Sequence, residues 1–145
     1  MVELAGRQVK EVMTPRTETI WVEEGMKLGD FLKLYAESPA YRYPIYEDSY
    51  DNVKGMLSSR DVLMSLAKKE INTKSTVTDM SRPVYMVPPS KTIGELFGEM
   101  KSEKYFMAVV VNEYGGTSGV VTLDQLVEYI VGEIGEELGV SPISY

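Results

Sequence analysis

Two short segments carry the polar side chains best suited to binding chemistry in this sequence. They are Ser58-Ser59-Arg60-Asp61 and Thr122-Leu123-Asp124-Gln125, and apolar residues precede each of them. A carboxylate such as that of Asp61 has two acceptor oxygens, so it can accept hydrogen bonds from both hydroxyls of a ribose. A hydroxyl beside the unpaired amides at the start of a helix favours a phosphate group. Nucleotide binding is therefore one chemistry that these segments could perform.

The same segments also fit a structural interpretation. A Ser or Thr followed three residues later by an acidic residue or Gln, ahead of an apolar run, is a helix capping box that satisfies backbone amides. Spacing alone favours the cap at Ser58 and Asp61. Thr122 and Gln125 fit a cap equally well, and Gln125 is the weaker ribose acceptor because it has one oxygen and no charge. Both interpretations remain open at this stage.

A third segment, Arg42-Tyr43-Pro44-Ile45-Tyr46, places an aromatic ring beside a proline. Tyr43 could stack on an adenine base while Pro44 shapes the backbone around it. The alternative is an edge strand in which the proline blocks pairing on one side. Taken alone, the segment favours the edge strand.

The composition excludes several classes of site and partner. The sequence has no cysteine and no histidine, which rules out disulfides, thiolate nucleophiles, Ser-His pairs and metal sites built on either residue. We therefore expect neither a catalytic nor a metal site, and the acidic run 132–137 is better explained as a solvated helix end. A net charge of −7 without a basic block makes nucleic acid a poor partner. No apolar run approaches the roughly 20 residues that span a bilayer, so we expect the chain to be soluble.

The two polar segments occupy equivalent places in a repeated pattern. Residues 55–63 match residues 119–127, and both stretches run from a glycine through apolar residues and a hydroxyl residue into a helical pattern. Each copy reads as strand, helix, strand, strand, helix, which predicts an α/β fold of two pseudo-symmetric β-α-β-β-α units. The first helix of each copy has one apolar face, formed by Leu28, Phe31, Leu32 and Tyr35 in the first copy and by Ile93, Leu96, Phe97 and Met100 in the second.

The pattern also sets expected boundaries. The repeats are predicted to span 9–68 and 76–137, joined by the polar linker Lys68–Ser75, with the second helix of each copy beginning after Ser58 or Thr122. Hairpin-like strand pairs precede those helices: Tyr43–Tyr46 with Val53–Leu57 around a polar loop, and Met107–Val111 with Gly119–Val121. One copy cannot cover the apolar face of the last helix, which predicts a homodimer through Val127, Ile130, Ile134 and Leu138.

Several separated motifs make the sequence recognisable. They are Val9-Lys10-Glu11-Val12-Met13-Thr14-Pro15-Arg16, Tyr43-Pro44-Ile45-Tyr46, Asn52-Val53-Lys54-Gly55 and Asn112-Glu113-Tyr114-Gly115-Gly116. With the repeat, they resemble a pair of cystathionine-β-synthase (CBS) domains over nearly the whole chain. More narrowly, they are similar to the CorC/HlyC (hemolysin-like) group, which is related to the cyclin M transporters and implicated in magnesium and cobalt efflux.

The resemblance implies a function. Such modules bind AMP, ADP or ATP, the last often with Mg²⁺, and sit on the cytoplasmic side of the membrane within a larger protein whose transporter domain they regulate. The nucleotide-binding positions that carry over are Thr14, Tyr43, Pro44, Ser58, Arg60, Asp61, Thr122, Asp124 and Gln125. The chain departs from the group at Gln125, where such transporters usually have aspartate, and Asp124 lies one residue too early. The alternative to nucleotide sensing is a structural dimerisation module with empty clefts.

Overall fold

The computed structural model of the protein describes residues 6–139, which form two compact units. Unit 2 is Glu18–Val84. Unit 1 combines the N-terminal segment, up to Thr17, with the segment that begins at Tyr85. The N-terminal segment of the first repeat thus packs with the second repeat, and Val77, near the start of the second repeat, packs in the core of the first.

The elements follow the predicted order. The strands are β1 (Thr14–Pro15), β2 (Val22–Glu23), β3 (Arg42–Glu47), β4 (Ser49–Ser58), β5 (Tyr85–Val87), β6 (Met107–Val111) and β7 (Thr117–Thr122), and the α-helices are α1 (Leu28–Glu37), α2 (Ser59–Ala67), α3 (Ile93–Glu103) and α4 (Leu123–Glu137). Within residues 6–139 each unit therefore contains the β-α-β-β-α series, with β1 added to unit 1. The predicted α/β fold class is confirmed.

Unit 2 is built on a three-stranded sheet in the order β2-β3-β4. The strand β3 runs parallel to β2 and antiparallel to β4. From the predicted apolar face of α1, Leu28 and Phe31 lie in the core of unit 2, and Leu32 and Tyr35 pack against it. The strands, α2 and the short 3-10 turn Val77–Met80 supply the rest of this core: Val22, Tyr43, Ile45, Leu57, Val62 and Val77. The side chains predicted to face inward from α1 thus reach this core, because helical spacing places them on one side.

Two local predictions in unit 2 are wrong. The strand β3 lies in the centre of the sheet and not at its edge. Pro44 is tolerated there because β2 pairs only with Ile45 and Tyr46, beyond the proline. The polar loop expected before Val53 is also absent, since β4 already begins at Ser49. Asp48 closes this hairpin in the left-handed conformation, with φ of 68°.

Unit 1 is built on a four-stranded sheet in the order β1-β7-β6-β5. The strand β6 is buried along most of its length, as its continuous apolar run predicts. Two antiparallel pairs, Thr14 with Val120 and Pro15 with Gly119, attach β1 to β7. The core includes Val9 from the N-terminal segment and Leu126 from α4. None of the helices in residues 6–139 combines the length and apolar character needed to cross a bilayer.

Candidate functional site

In unit 2 the candidate site begins where β4 passes into α2. Ser58 is extended (φ −95°, ψ 121°) and caps α2, because its hydroxyl accepts a hydrogen bond from the Asp61 amide at 3.3 Å. The Asp61 carboxylate faces Arg82 instead: Arg82 Nε donates to Oδ2 at 2.6 Å and Nη2 donates to Oδ1 at 3.0 Å. The Ser58 hydroxyl therefore caps the helix as predicted. The Asp61 carboxylate, which a complete capping box would direct back to the Ser58 amide, forms an ion pair with Arg82.

A cavity of about 510 Å³ has Asp61 on its wall. Asp61, Ser65 and Lys68 contribute to its wall from α2 and its C-terminal end, and Asp79 and Ser81 contribute from the segment around the 3-10 turn. Small-molecule sites commonly have volumes of roughly 300–1,000 Å³. The cavity is therefore large enough for a ligand of nucleotide size, with a carboxylate on its wall.

A second arginine adds positive charge to this region. Arg42 on β3 pairs across the sheet with Ser58, at the start of α2. Burial and then the neighbouring Arg82 guanidinium lower the pKa of Arg42, while Asp61 acts in the opposite direction. The guanidinium groups of Arg42 and Arg82 thus both act on the Asp61 carboxylate. Arg60, the other arginine predicted as a candidate, is exposed on the first turn of α2. The guanidinium groups would favour an anionic group on a ligand, whereas the cavity wall itself carries three acidic residues and one lysine, Asp61, Glu70, Asp79 and Lys68.

Unit 1 has a neutral arrangement at the start of α4. The Thr122 hydroxyl accepts from the Gln125 amide at 3.2 Å, and Gln125 Oε1 accepts from the Thr122 amide at 2.9 Å. The other side-chain atom of the amide, Nε2, donates to Thr14 Oγ1 at 3.0 Å. The capping interpretation is confirmed here, and three predicted candidates, Thr14, Thr122 and Gln125, are brought together. Asp124 is exposed on the first turn of α4.

Comparison with known proteins identifies the repeat. The family model described as "CBS domain" matches residues 9–68 and 75–132, which covers most of the sequence. The chain is a pair of CBS domains. It is 32% identical over 137 residues to the magnesium and cobalt efflux protein CorC of Vibrio cholerae, covering 94% of this chain and 46% of the relative. It is also 34% identical to the UPF0053 protein YhdP of Bacillus subtilis, covering 98% of this chain and 32% of the relative. The chain spans less than half the length of these relatives.

Solved structures show the same fold. The CBS domain of a bacterial CNNM/CorC family Mg²⁺ transporter, solved in complex with ATP, superposes with a TM-score of 0.81 at 38% identity, over 90% of this chain and 91% of the other. A CBS-domain pair from Klebsiella pneumoniae, solved with bound AMP, superposes with a TM-score of 0.71 at 25% identity, over 87% of this chain and 99% of the other. The resemblance to CBS pairs of the CorC group is thereby confirmed.

The structure corrects the role expected for Tyr43 in this CBS pair. Its ring is fully buried and packs edge-on against Phe31, with ring centroids 5.1 Å apart. The phenol donates to the carbonyl of Ser38 and accepts from the amide of Ala40, both at 2.8 Å, and burial raises its pKa. An adenine base cannot stack on a ring with no exposed face, so that prediction is wrong. Pro44 beside it is buried as well.

Arg82 is the site residue that sequence reasoning missed. It is 21 residues from Asp61 in the chain, and no local motif links the two. The repeat contains a usable signal, however. The match of Val9 to Val77 places Arg82 at the position of Thr14, and the match of Gly55 to Gly119 places Asp61 at the position of Gln125. The Thr14–Gln125 hydrogen bond in one unit therefore corresponds to the Arg82–Asp61 ion pair in the other.

Residues 6–139 contain no group of three or more histidine, cysteine, aspartate or glutamate side chains placed to hold a metal ion. The polar groups at the start of α2 and at the start of α4 are therefore the candidate sites that the described structure offers. In unit 2 the Asp61 carboxylate lies on the wall of a cavity and is paired with Arg82, whereas in unit 1 the three side chains that are brought together, Thr14, Thr122 and Gln125, are uncharged.

Proposed function

We propose that this CBS pair is a regulatory module that binds an adenine nucleotide and controls a magnesium or cobalt transporter domain in the same, longer protein. The observation that carries the proposal is Asp61, which lies on the first turn of α2 and on the wall of a cavity, and whose carboxylate is paired with Arg82. One unit thus supplies an acceptor for ribose hydroxyls and cationic groups for phosphate.

The ribose and the phosphate of a nucleotide each have a chemical counterpart in unit 2. The two oxygens of Asp61 match the two ribose hydroxyls, and charged acceptors form stronger hydrogen bonds than neutral ones. Arg82 and Arg42 match a phosphate group, to which a guanidinium can donate in a bidentate manner. Since the site offers positive charge for one or more phosphates, AMP, ADP and ATP all fit this chemistry. A magnesium ion would enter with ATP as its counter-ion.

The relatives described above support both nucleotide binding and attachment to a transporter. One structural neighbour was solved with ATP and another with AMP, and a sequence relative is named as a magnesium and cobalt efflux protein. In this proposal the module sits at the cytoplasmic side of a membrane, attached to the transporter domain, and makes or breaks no bond itself. Nucleotide binding would regulate by shifting the population of conformations, so the ligand must bind one of them more tightly.

The unit 1 site would contribute less to nucleotide binding than the unit 2 site. Thr14 and Thr122 offer hydroxyls to a nucleotide, but Gln125 has only one acceptor oxygen, and that oxygen already receives the Thr122 amide. Arg60 and Asp124, both exposed on first helical turns, would contact a ligand from the rim. We therefore place the principal ribose contact at Asp61.

Thermal melting tests whether a nucleotide binds. A ligand present at 100 times its dissociation constant stabilises the folded protein by about 2.7 kcal/mol, which raises the melting temperature of a domain of this size by roughly 5–10 °C. We expect such a rise with at least one of AMP, ADP, ATP or ATP with magnesium. No rise with any of them at millimolar concentration would contradict the proposal and support the alternative, a structural dimerisation module with empty clefts.

We also propose that the module is a homodimer that uses the apolar face of α4. Val127, Val131, Ile134 and Leu138 form a row along this helix and are 42%, 44%, 43% and 71% exposed. The sequence-based expectation placed Ile130 on this face, but Ile130 packs against the core of unit 1, and Val131 is exposed instead. A row of this kind on an otherwise folded surface is typical of a protein interface.

Val131→Glu is expected to dissociate such a dimer, because it places a charge in the centre of the apolar row. Sedimentation velocity at tens of micromolar should show a dimer for the unmodified protein and a monomer for the variant. The control is Glu128→Gln, which also changes the helix charge by one unit, at an exposed position outside the row. An unmodified protein that sediments only as a monomer would contradict this part of the proposal.

A further inference from the structure

Three aromatic rings form a cluster on the surface of unit 2. Trp21, immediately before β2, stacks on Tyr50 of β4 with ring centroids 4.4 Å apart and planes 7° from parallel. Tyr46 of β3 meets both rings edge-on, with centroid distances of 6.1 Å to Trp21 and 4.8 Å to Tyr50. Tyr50 is 38% exposed, and the other two residues are half-buried. Three neighbouring segments thus build one accessible surface, which we call the aromatic patch.

The second repeat shows that the shared fold does not require the aromatic patch. The strand registers, together with the match of residues 55–63 to 119–127, align its three rings with three residues of unit 1: Met86, Val111 and Tyr114. Unit 1 therefore builds the same strands with one of the three rings, and that ring, on Tyr114, belongs to a residue that is 89% exposed. The aromatic patch is a feature of unit 2 alone.

Carboxyl groups lie beside the aromatic patch. The Tyr46 hydroxyl donates to Glu23 Oε2 at 3.4 Å, and the Tyr46 carbonyl accepts from the Glu24 amide at 2.8 Å. A hydrogen bond between the Glu24 and Glu47 carboxyl groups, followed by burial and the charge of Glu47, raises the pKa of Glu24. Lys54 acts in the opposite direction, and its Nζ lies 4.0 Å from Glu47 Oε1. The patch is thus bordered by negative charge that Lys54 offsets only in part.

Arginine is the side chain that suits both the rings and the carboxylates. A guanidinium group stacks on the face of a tryptophan or tyrosine ring and also donates bidentate hydrogen bonds to a carboxylate. A lysine ammonium is a compact, strongly hydrated charge and has no planar face to stack. A neighbouring cation also favours the ionised form of two carboxyl groups that are in contact. An apolar partner would instead desolvate these carboxylates without compensation.

We propose that the aromatic patch and its carboxylate border form a docking surface for an arginine-rich segment of a partner protein. The guanidinium groups of that segment stack on the exposed ring of Tyr50 and pair with Glu23 and Glu47. The docking surface shares no residue with the cavity that has Asp61 on its wall. This inference therefore goes beyond the proposed nucleotide site and does not depend on it.

Nuclear magnetic resonance tests the docking surface with a defined probe, an acetylated and amidated tetra-arginine peptide. The sequence has one tryptophan, so the indole N–H of Trp21 gives a single signal from within the patch. We expect this signal to shift to saturation as the peptide is added at low ionic strength. A tetra-lysine peptide should bind at least about two-fold more weakly, because it loses the stacking on the rings. Added salt should weaken binding of both peptides, since it screens exposed charges.

Two variants and two matched controls locate the contact. Tyr50→Ala and Glu47→Gln should each weaken tetra-arginine binding by about two- to five-fold, the scale of one exposed cation–π contact or one surface ion pair. Tyr114→Ala and Glu113→Gln make the same changes at exposed positions of the unit 1 hairpin and should leave the affinity unchanged. Melting curves of all four variants verify that they are folded.

Three results with the peptides would overturn the proposal: an unmoved Trp21 signal, equal affinities for tetra-arginine and tetra-lysine, or equal losses in the variants and their controls. A Trp21 signal that moves with protein concentration in the absence of peptide would also overturn it, because a second copy of this chain would then occupy the patch. Nucleotide binding at Asp61 is measured separately, so its success or failure leaves these outcomes unchanged.

Discussion

Asp61→Ala should weaken AMP binding in unit 2 by about ten-fold to more than a hundred-fold. The variant removes both carboxylate oxygens that we assign to the ribose, and hydrogen bonds to a charged group contribute about 1.5–3 kcal/mol. Stability should change by less than about 1 kcal/mol, because the ion pair with Arg82 is partly exposed and the Ser58 cap remains. Calorimetric titration run beside thermal melts measures the two quantities separately. Unchanged affinity with lowered stability would make Asp61 a purely structural residue.

The companion variant Gln125→Asp gives unit 1 a carboxylate at the position that Asp61 occupies in unit 2. Gln125 is held by Thr122 and Thr14 in a neutral network, and a carboxylate in its place has two charged oxygens and no donor. We expect nucleotide binding to appear or to strengthen in unit 1. A variant that folds normally and binds no better would show that the carboxylate alone does not make the site.

Gly119→Ala is expected to have the largest effect on stability. Gly119 on β7 pairs with Pro15 on β1, and a Cβ atom there would collide with the backbone carbonyl oxygen of Thr14 and lie 3.0 Å from Met13 Sδ. A backbone atom cannot move aside as a flexible side chain does, so β1 must separate from β7. Overpacking of this kind costs about 1–3 kcal/mol or more. Melting curves should show a fall of roughly 2–10 °C.

Gly98→Ala is the matched control for this substitution. Gly98 lies inside α3, and nothing is within 4 Å of a Cβ atom built on it. Replacing an exposed helical glycine by alanine stabilises a protein by roughly 0.5–1 kcal/mol. The same chemical change should therefore act in opposite directions at the two positions. Equal melting temperatures for the two variants would contradict the close approach of β1 to Gly119.

Local chemistry made the helix starts predictable from the sequence. Ser58 and Thr122 are the caps because each combines an extended backbone with a hydroxyl that reaches an amide three residues later. The α1 face was predictable for a similar reason, since its period is set by helix geometry alone. The repeat then gave the order of the remaining elements, because two copies of one pattern fold alike.

The features that depended on distant contacts were not predictable in this way. From the sequence Tyr43 was either a ring that stacks on adenine or part of an edge strand, but the sheet places it in the centre of unit 2, where its hydroxyl bonds to Ser38 and Ala40. The ion pair between Arg82 and Asp61 forms only after the chain brings the start of the second repeat back against β4. Only the repeat links the two residues, since they occupy the positions of Thr14 and Gln125 in the other copy.

A structure of the protein determined with AMP would show directly whether Asp61 binds the ribose. We expect both ribose hydroxyls to donate to the Asp61 carboxylate and Arg82, released from its contacts at 2.6 and 3.0 Å, to reach the phosphate. AMP bound elsewhere, with the Arg82–Asp61 ion pair still closed, would contradict it.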